Sequence, residues 1–442
     1  MNTGKLNGIL IALSLALSSC GGAGSSAASS TTTQAPAAGS QGARLLPSGY
    51  LSVRRSQLID TSGNPVRIAS VGWQGTNSIA NAPIGLWSVN YKATMDAMVS
   101  DGFNAVRISW TDAGLHSTAT AANIDATQNP DLAGLTQMQV LDKIVGYAGT
   151  IGLKIIFDHH DDEGISGGIS SAGVSCVAQQ DNGLWFDLGP GTDNTDGCGD
   201  PGTVTAAQFQ ADWVELARRY AGNSTVIGFD IDNEPFYTAS NGLNWGAGGP
   251  TDLHAMYTSV GDAIQSVDPG ALIICEGAPL SAYGASDPAI GTWVEDLRPV
   301  LNQPVVLGVP DKVVYSVHLY PNEVTNSPDA DSGSTYIQHQ NAAWGYLETQ
   351  DIAPVWIGEM GAPLTASDAD GQAWVATIIP YLNGLDGSQG GPTFTGANQP
   401  IGTNWWFWGT YNQGTGWGTL STWNPATYKP GQQAATSLLQ WR

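Results

Sequence analysis

The sequence predicts an α/β fold for residues 45–442, a (β/α)8 TIM barrel with long βα loops, and three observations predict it. Eight short runs rich in Val, Ile, Leu and aromatic residues recur along the chain, at 66–73, 105–110, 154–160, 226–234, 272–277, 313–320, 354–359 and 403–408. Several are nearly unbroken apolar stretches, the pattern of parallel strands buried on both faces. Between them the apolar period becomes helical: Phe209, Trp213, Leu216, Ala217 and Tyr220 share one helix face, and Met138, Leu141, Val145 and Ala148 repeat the pattern. Finally, no glycine-rich phosphate loop follows an early run, as an open doubly wound sheet would usually carry.

The segments ahead of the barrel read differently. Residues 1–19 have the form of an export signal: Lys5, then an apolar run over 9–17 too short to span a membrane. The run ends in Leu17-Ser18-Ser19-Cys20, which resembles a bacterial lipobox and makes Cys20 the expected lipidated residue. An ordinary secretory signal is the alternative. Residues 20–44, rich in Ser, Ala, Gly and Thr, are expected to be a flexible tether, because such a composition buries too little surface to fold. The protein is thus expected to be exported and held at the cell surface or outer membrane by acyl chains alone, or else secreted.

Thirty-eight acidic residues face 15 basic ones, and without a basic cluster a nucleic-acid partner is excluded. A neutral or cationic substrate suits this balance. Sixteen tryptophans and 14 tyrosines supply core, and some can serve as platforms for sugar rings. Cys176 and Cys198 flank a Gly/Asp-rich loop and, in an exported protein, are expected to form a disulfide. Cys275 lies in an apolar run and reads as a buried thiol. A monomer is expected.

In a barrel of this kind the chemistry sits where strands end. The run 226–234 closes on Asn233-Glu234, and Pro235, which has no N–H, stops the ladder. A second run closes on Glu359. Other ends carry Arg107, Asp158-His159-His160, His318 with Tyr320, and Trp405, Trp406 and Trp408. Two carboxyl groups in different protonation states are what glycoside hydrolysis needs. On this reading Arg107 keeps Glu359 ionised while a less compensated Glu234 holds its proton. Tyr320 donates to Glu359, His318 tunes Glu234, and Asn233 holds a sugar hydroxyl. The cluster 158–163, with two histidines and four acids, also permits a divalent ion. Adjacent residues rarely point at one ion, however, so neither metal nor cofactor is expected.

The ordered stretches Gly85-Leu86-Trp87, Gly102-Phe103-Asn104-Ala105-Val106-Arg107, Val140-Leu141-Asp142-Lys143-Ile144-Val145, 226–235, 314–320 and 344–361 carry a resemblance. They cover most of residues 66–442. The chain resembles glycoside hydrolase family 5, the cellulase family A, and most of all the bacterial endo-β-1,4-glucanases of its first subfamily. The resemblance implies a retaining β-glycosidase acting on a polysaccharide or oligosaccharide. Glu234 would be the acid/base and Glu359 the nucleophile. Arg107, His160, Asn233, His318, Tyr320 and Trp408 would line the subsite of the reacting sugar, Trp408 rather than Trp406 being the ring platform.

The chain departs from that pattern in three places. Where relatives usually read Asp-Arg-His, it reads Asp158-His159-His160, followed by Asp161-Asp162-Glu163 and a long insertion containing Trp185. Asp232 stands where a histidine is expected, and Pro321-Asn322 follows Tyr320. These changes leave open another β-glycan as substrate: mannan, xyloglucan, mixed-linkage glucan or bacterial exopolysaccharide. A surface glycan-binding lipoprotein without catalysis is a further alternative. The presence of every expected catalytic residue argues against it.

Overall fold

The eight predicted runs are the eight strands of a closed parallel barrel. In the computed structural model, residues 43–162, 183–189, 203–237, 241–278, 294–325, 331–384, 400–410 and 418–442 are described. Gly42–Arg442 forms one compact unit. Met1–Gln41 is a separate unit that lies outside the described residues, as do Cys20, Cys176 and Cys198.

A short hairpin, β1 (Ser52–Arg54) and β2 (Gln57–Ile59), precedes the barrel. The barrel strands are β3 (Ala69–Gly72), β4 (Ala105–Thr111), β5 (Lys154–Asp161), β6 (Val226–Asp230), β7 (Leu272–Glu276), β8 (Val313–Leu319), β9 (Val355–Met360) and β10 (Gly402–Trp405). They pair in chain order, and β10 closes against β3. Outside them lie α1 (Tyr91–Ser100), α2 (Asp112–His116), α3 (Gln137–Ile151), α4 (Ala206–Tyr220) and α5 (Leu253–Gln265), with further helices between β8 and β10. A second hairpin follows β10.

Helix α4 buries the face its sequence announced, and the Trp213 indole N–H donates to the Ile231 carbonyl at 3.0 Å. Helix α3 opens on a capping box between Thr136 and Gln139 and stops at Gly152, whose left-handed conformation a side chain would strain. Burial of each large apolar side chain here is worth about 1.5–3 kcal/mol.

The strands alternate, so every second residue faces the barrel axis. Low in the barrel these inward positions are apolar. Ala105, Ile156, Ile274, Val314 and Trp356 pack with Leu51, just ahead of the hairpin, and Leu58 of β2 into a core of their own, which seals the floor. The floor also joins the two ends of the barrel unit. The Arg44 N–H donates to the Trp441 carbonyl at 2.9 Å, and the Arg44 guanidinium sits 4.1 Å over the Trp441 ring.

The end of α1 makes part of this stability depend on pH. Asp101 caps the C-terminus of that helix, where a negative charge opposes the helix dipole. Burial lifts its pKa to about 7, opposed by the Gln433 side-chain N–H, which donates to it at 3.3 Å. A raised folded-state pKa means that this stability is complete below about pH 4 and is lost as pH climbs through about 7. Asp101→Asn is therefore expected to raise the melting temperature by about 2–4 °C at pH 8. At pH 4 it should change nothing. Thermal melts at the two pH values check this, and a pH-independent gain would contradict it.

Candidate active site

Higher in the barrel the same inward rows turn polar. In β4 the row runs Ala105, Arg107, Ser109; in β7 Leu272, Ile274, Glu276; in β8 Val314, Ser316, His318. The strands are apolar below and charged above, so the charges gather at the C-terminal mouth.

Arg107 is fully buried and is the hub. Its Nε donates to Asp230 at 2.8 Å and its Nη1 to Glu359 at 2.6 Å. Its Nη2 reaches Asp158 at 2.8 Å, Asn233 Oδ1 at 3.0 Å and Glu276 at 3.3 Å. Only a planar fork with five N–H groups can serve acceptors spread this widely. One cation among four carboxylates leaves the group short of positive charge. Burial accordingly drives the Asp230 pKa well up, with the Glu276 charge adding to it and Arg107 opposing.

His318 supplies the second cation. Burial pulls its pKa down, but Glu276, Glu359 and Glu234 push it well above the ordinary range. Its Nδ1 lies 2.8 Å from Glu234 Oε1 and 3.8 Å from Glu359 Oε2, and its Nε2 lies 3.0 Å from Glu276 Oε1. One oxygen of Glu234 and one of Glu359 lie within 4.8 Å of each other and of a His318 nitrogen. The Tyr320 hydroxyl donates to Glu359 Oε2 at 2.6 Å. His160 Nδ1 meets Asp158 Oδ2 at 2.7 Å. Arg107, His160, Asn233, Glu234, His318, Tyr320 and Glu359 are thus brought together.

Burial lifts the Glu359 pKa, while His318 and Arg107 pull it back; it stays above the ordinary glutamate value. The expectation that Arg107 holds this carboxylate ionised captures one side of the balance. Arg107 is shared too widely to win alone.

Strand β6 stops at Asp230, short of the predicted 234. The next residues leave the regular ladder, and Glu234 sits at φ 54°, in the left-handed region. For a non-glycine residue that conformation costs about 1–2 kcal/mol. Its N–H donates to Glu276 Oε2 at 2.8 Å.

Trp408 is a correction. It is 1% exposed and packs edge-on against Phe103 and Tyr428 in the outer core, away from the carboxylates. Trp406 is the indole at the site, stacked on the His160 ring at 5.7 Å and 7°. Strand β10 ends at Trp405, so both indoles lie beyond the regular ladder. Gly72 makes the approach possible: a Cβ there would collide with the Trp406 ring.

Asp232 also reads differently. It is buried, and its Oδ1 lies 3.5 Å from His159 Nδ1, so two of the sequence departures face each other. Burial, opposed by His159, lifts Asp232 to about 6. Burial lowers His159, but Asp112 and Asp232 outweigh it and take the imidazole to about 10. Packing and charge account for the pair.

The acidic cluster 158–163 divides. Asp158 turns to Arg107 and His160, while His159 Nε2 meets Asp112 Oδ2 at 2.7 Å. Asp112, His159 and Asp162 converge within 4.8 Å, and Glu163 lies outside the described residues. Two residues of the site were missed in the sequence, Asp230 and Glu276. Glu276 carried the same signal as Glu234 and Glu359, a carboxylate closing an apolar run.

The model for the cellulase family (glycosyl hydrolase family 5) matches residues 59–412. An endoglucanase of Paenibacillus polymyxa is 31% identical over 338 residues, covering 76% of this chain and 77% of that protein. The major extracellular endoglucanase of Xanthomonas campestris pv. campestris is 29% identical over 350 residues, 78% of this chain and 65% of that protein. The solved catalytic domain of the major Xanthomonas endoglucanase superposes with a TM-score of 0.69 at 26% identity, covering 88% of this chain and 99% of that one. A hyperthermophilic endocellulase from Pyrococcus horikoshii, 24% identical, shares the fold with a TM-score of 0.70, over 89% of this chain and 99% of that chain. The chain is a glycoside hydrolase and belongs to the cellulase family, glycosyl hydrolase family 5.

Proposed function

We propose that the enzyme is a retaining endo-β-1,4-glucanase working by double displacement, with Glu234 as acid/base and Glu359 as nucleophile. The observation that carries this is the closeness of the two carboxyl groups, with oxygens within 4.8 Å. Retention needs about 5–5.5 Å between the groups, whereas inversion leaves room for a water at about 6.5–9.5 Å. In the first step Glu359 attacks the anomeric carbon, the bond to the glycosidic oxygen breaks, and that oxygen takes the proton of Glu234. In the second, Glu234 removes a proton from water, the water oxygen attacks the same carbon, and Glu359 leaves as carboxylate. Tyr320 and Arg107 hold Glu359 in line, Asn233 serves a sugar hydroxyl, and Trp406 is the platform. Two carboxyl groups suffice for this chemistry.

A panel of soluble polysaccharides, with products sized by mass spectrometry, tests the reading. Internal cleavage of β-1,4-glucan to short oligosaccharides with retained configuration is expected. Preference for mannan, xyloglucan, mixed-linkage glucan or a bacterial exopolysaccharide would change the substrate and keep the mechanism. Binding without turnover on any of them would overturn the enzyme reading.

We further propose that the chain comprises a signal over 1–19, a tether over 20–44 and a catalytic domain over 45–442. The mature protein is a monomer held by lipid on Cys20. Cys20→Ala is expected to release it into the medium. A disulfide joins Cys176 and Cys198, so alkylating the denatured, unreduced protein should label Cys275 alone.

A further inference from the structure

We propose that Glu276 is the positioning residue of the acid/base, fixing Glu234 through its backbone and, by way of His318, through its carboxyl group. This rests on Glu234 being the proton donor. Glu276 closes β7, is fully buried, and faces inward above Ile274. Its Oε2 accepts the Glu234 N–H at 2.8 Å. Its Oε1 faces His318 Nε2 at 3.0 Å, and His318 Nδ1 in turn meets Glu234 Oε1 at 2.8 Å. A single carboxylate therefore grips both ends of one residue.

That residue needs a grip. Glu234 holds φ 54° without being glycine, and such a conformation persists only where the surroundings impose it. The N–H accepted by Glu276 is a direct constraint on that backbone. The rival role, a mere counter-ion for Arg107, fits the distances poorly. Arg107 already holds Glu359 at 2.6 Å and Asp158 and Asp230 at 2.8 Å, whereas Glu276 lies 3.3 Å away. The two shorter contacts of Glu276 both lead to Glu234. The segment itself is pinned, because the Tyr257 hydroxyl donates to the Glu276 carbonyl at 3.1 Å.

Leaving-group chemistry separates positioning from general support. A cello-oligosaccharide needs a proton on its departing oxygen, while 2,4-dinitrophenyl β-cellobioside expels a phenolate that needs none. Glu276→Leu is expected to lower kcat/KM on the oligosaccharide about 100-fold and on the dinitrophenyl glycoside by less than about threefold. Glu276→Gln keeps an oxygen for the Glu234 N–H and should recover about a tenth of the wild-type value. Equal losses on both substrates, or no loss on either, would overturn the inference. If Glu276→Leu melts before assay, Glu276→Gln decides by the same ratio. Glu234→Gln, run in parallel, should itself show the selective loss. If it does not, the proton-donor reading fails and Glu276 falls with it. If it does and the Glu276 variants do not, only the present inference fails.

Discussion

Glu359→Gln is expected to lower kcat on soluble β-glucan by about 10⁴-fold or more, with the melting temperature nearly unchanged. The amide matches the carboxylate in shape. Its oxygen can still accept from Tyr320 or Arg107, which hold the native side chain at 2.6 Å each. What is lost is the nucleophilic oxygen and its charge. Removing one net negative charge from a buried group with four carboxylates around Arg107 should not unfold it. Reducing-end assays beside a thermal melt check both halves. Near-full activity in the Glu359→Gln enzyme would falsify the nucleophile assignment.

The second large effect falls on stability. Arg107→Lys keeps the charge and discards the fork. A lysine ammonium has three donors at one point and cannot reach Asp158, Asp230, Glu359 and Asn233 together. Leaving buried carboxylates without their partner costs about 3–5 kcal/mol. Urea unfolding at pH 7 should show that loss. Two of the acids left behind, Asp230 and Glu359, have folded-state pKa values raised by burial, so their favourable contribution is present at low pH and disappears as pH rises. The deficit of the variant should therefore shrink between pH 7 and pH 5. A deficit constant with pH would mean that lost packing, rather than unpaired charge, is the cause.

Strand count, strand order and the two carboxylates were legible because each is a local pattern. An apolar run closed by a polar residue is visible in a dozen letters. The register at strand ends was harder. The resemblance offered Trp408 as the ring platform, but β10 ends three residues earlier, and alternation cannot separate Trp406 from Trp408, which share a parity. Glu276 is easily passed over, because Cys275 beside it draws the reading of that run toward a buried thiol. Asp232 looked like a substrate signal for a different reason. Its partner, His159, is 73 residues away in sequence, and only the barrel, by laying β5 beside β6, brings the two together.

The meeting of Arg44 with Trp441 at the barrel floor has a consequence for chain connectivity. Two ends already in contact can be joined by a short linker with little loss of chain entropy. The barrel is thus a candidate for circular permutation, with new termini opened in an exposed outer turn such as the one around Gly222. Because the seam lies on the floor, joining it leaves the catalytic mouth untouched, and a permuted enzyme would retain its turnover.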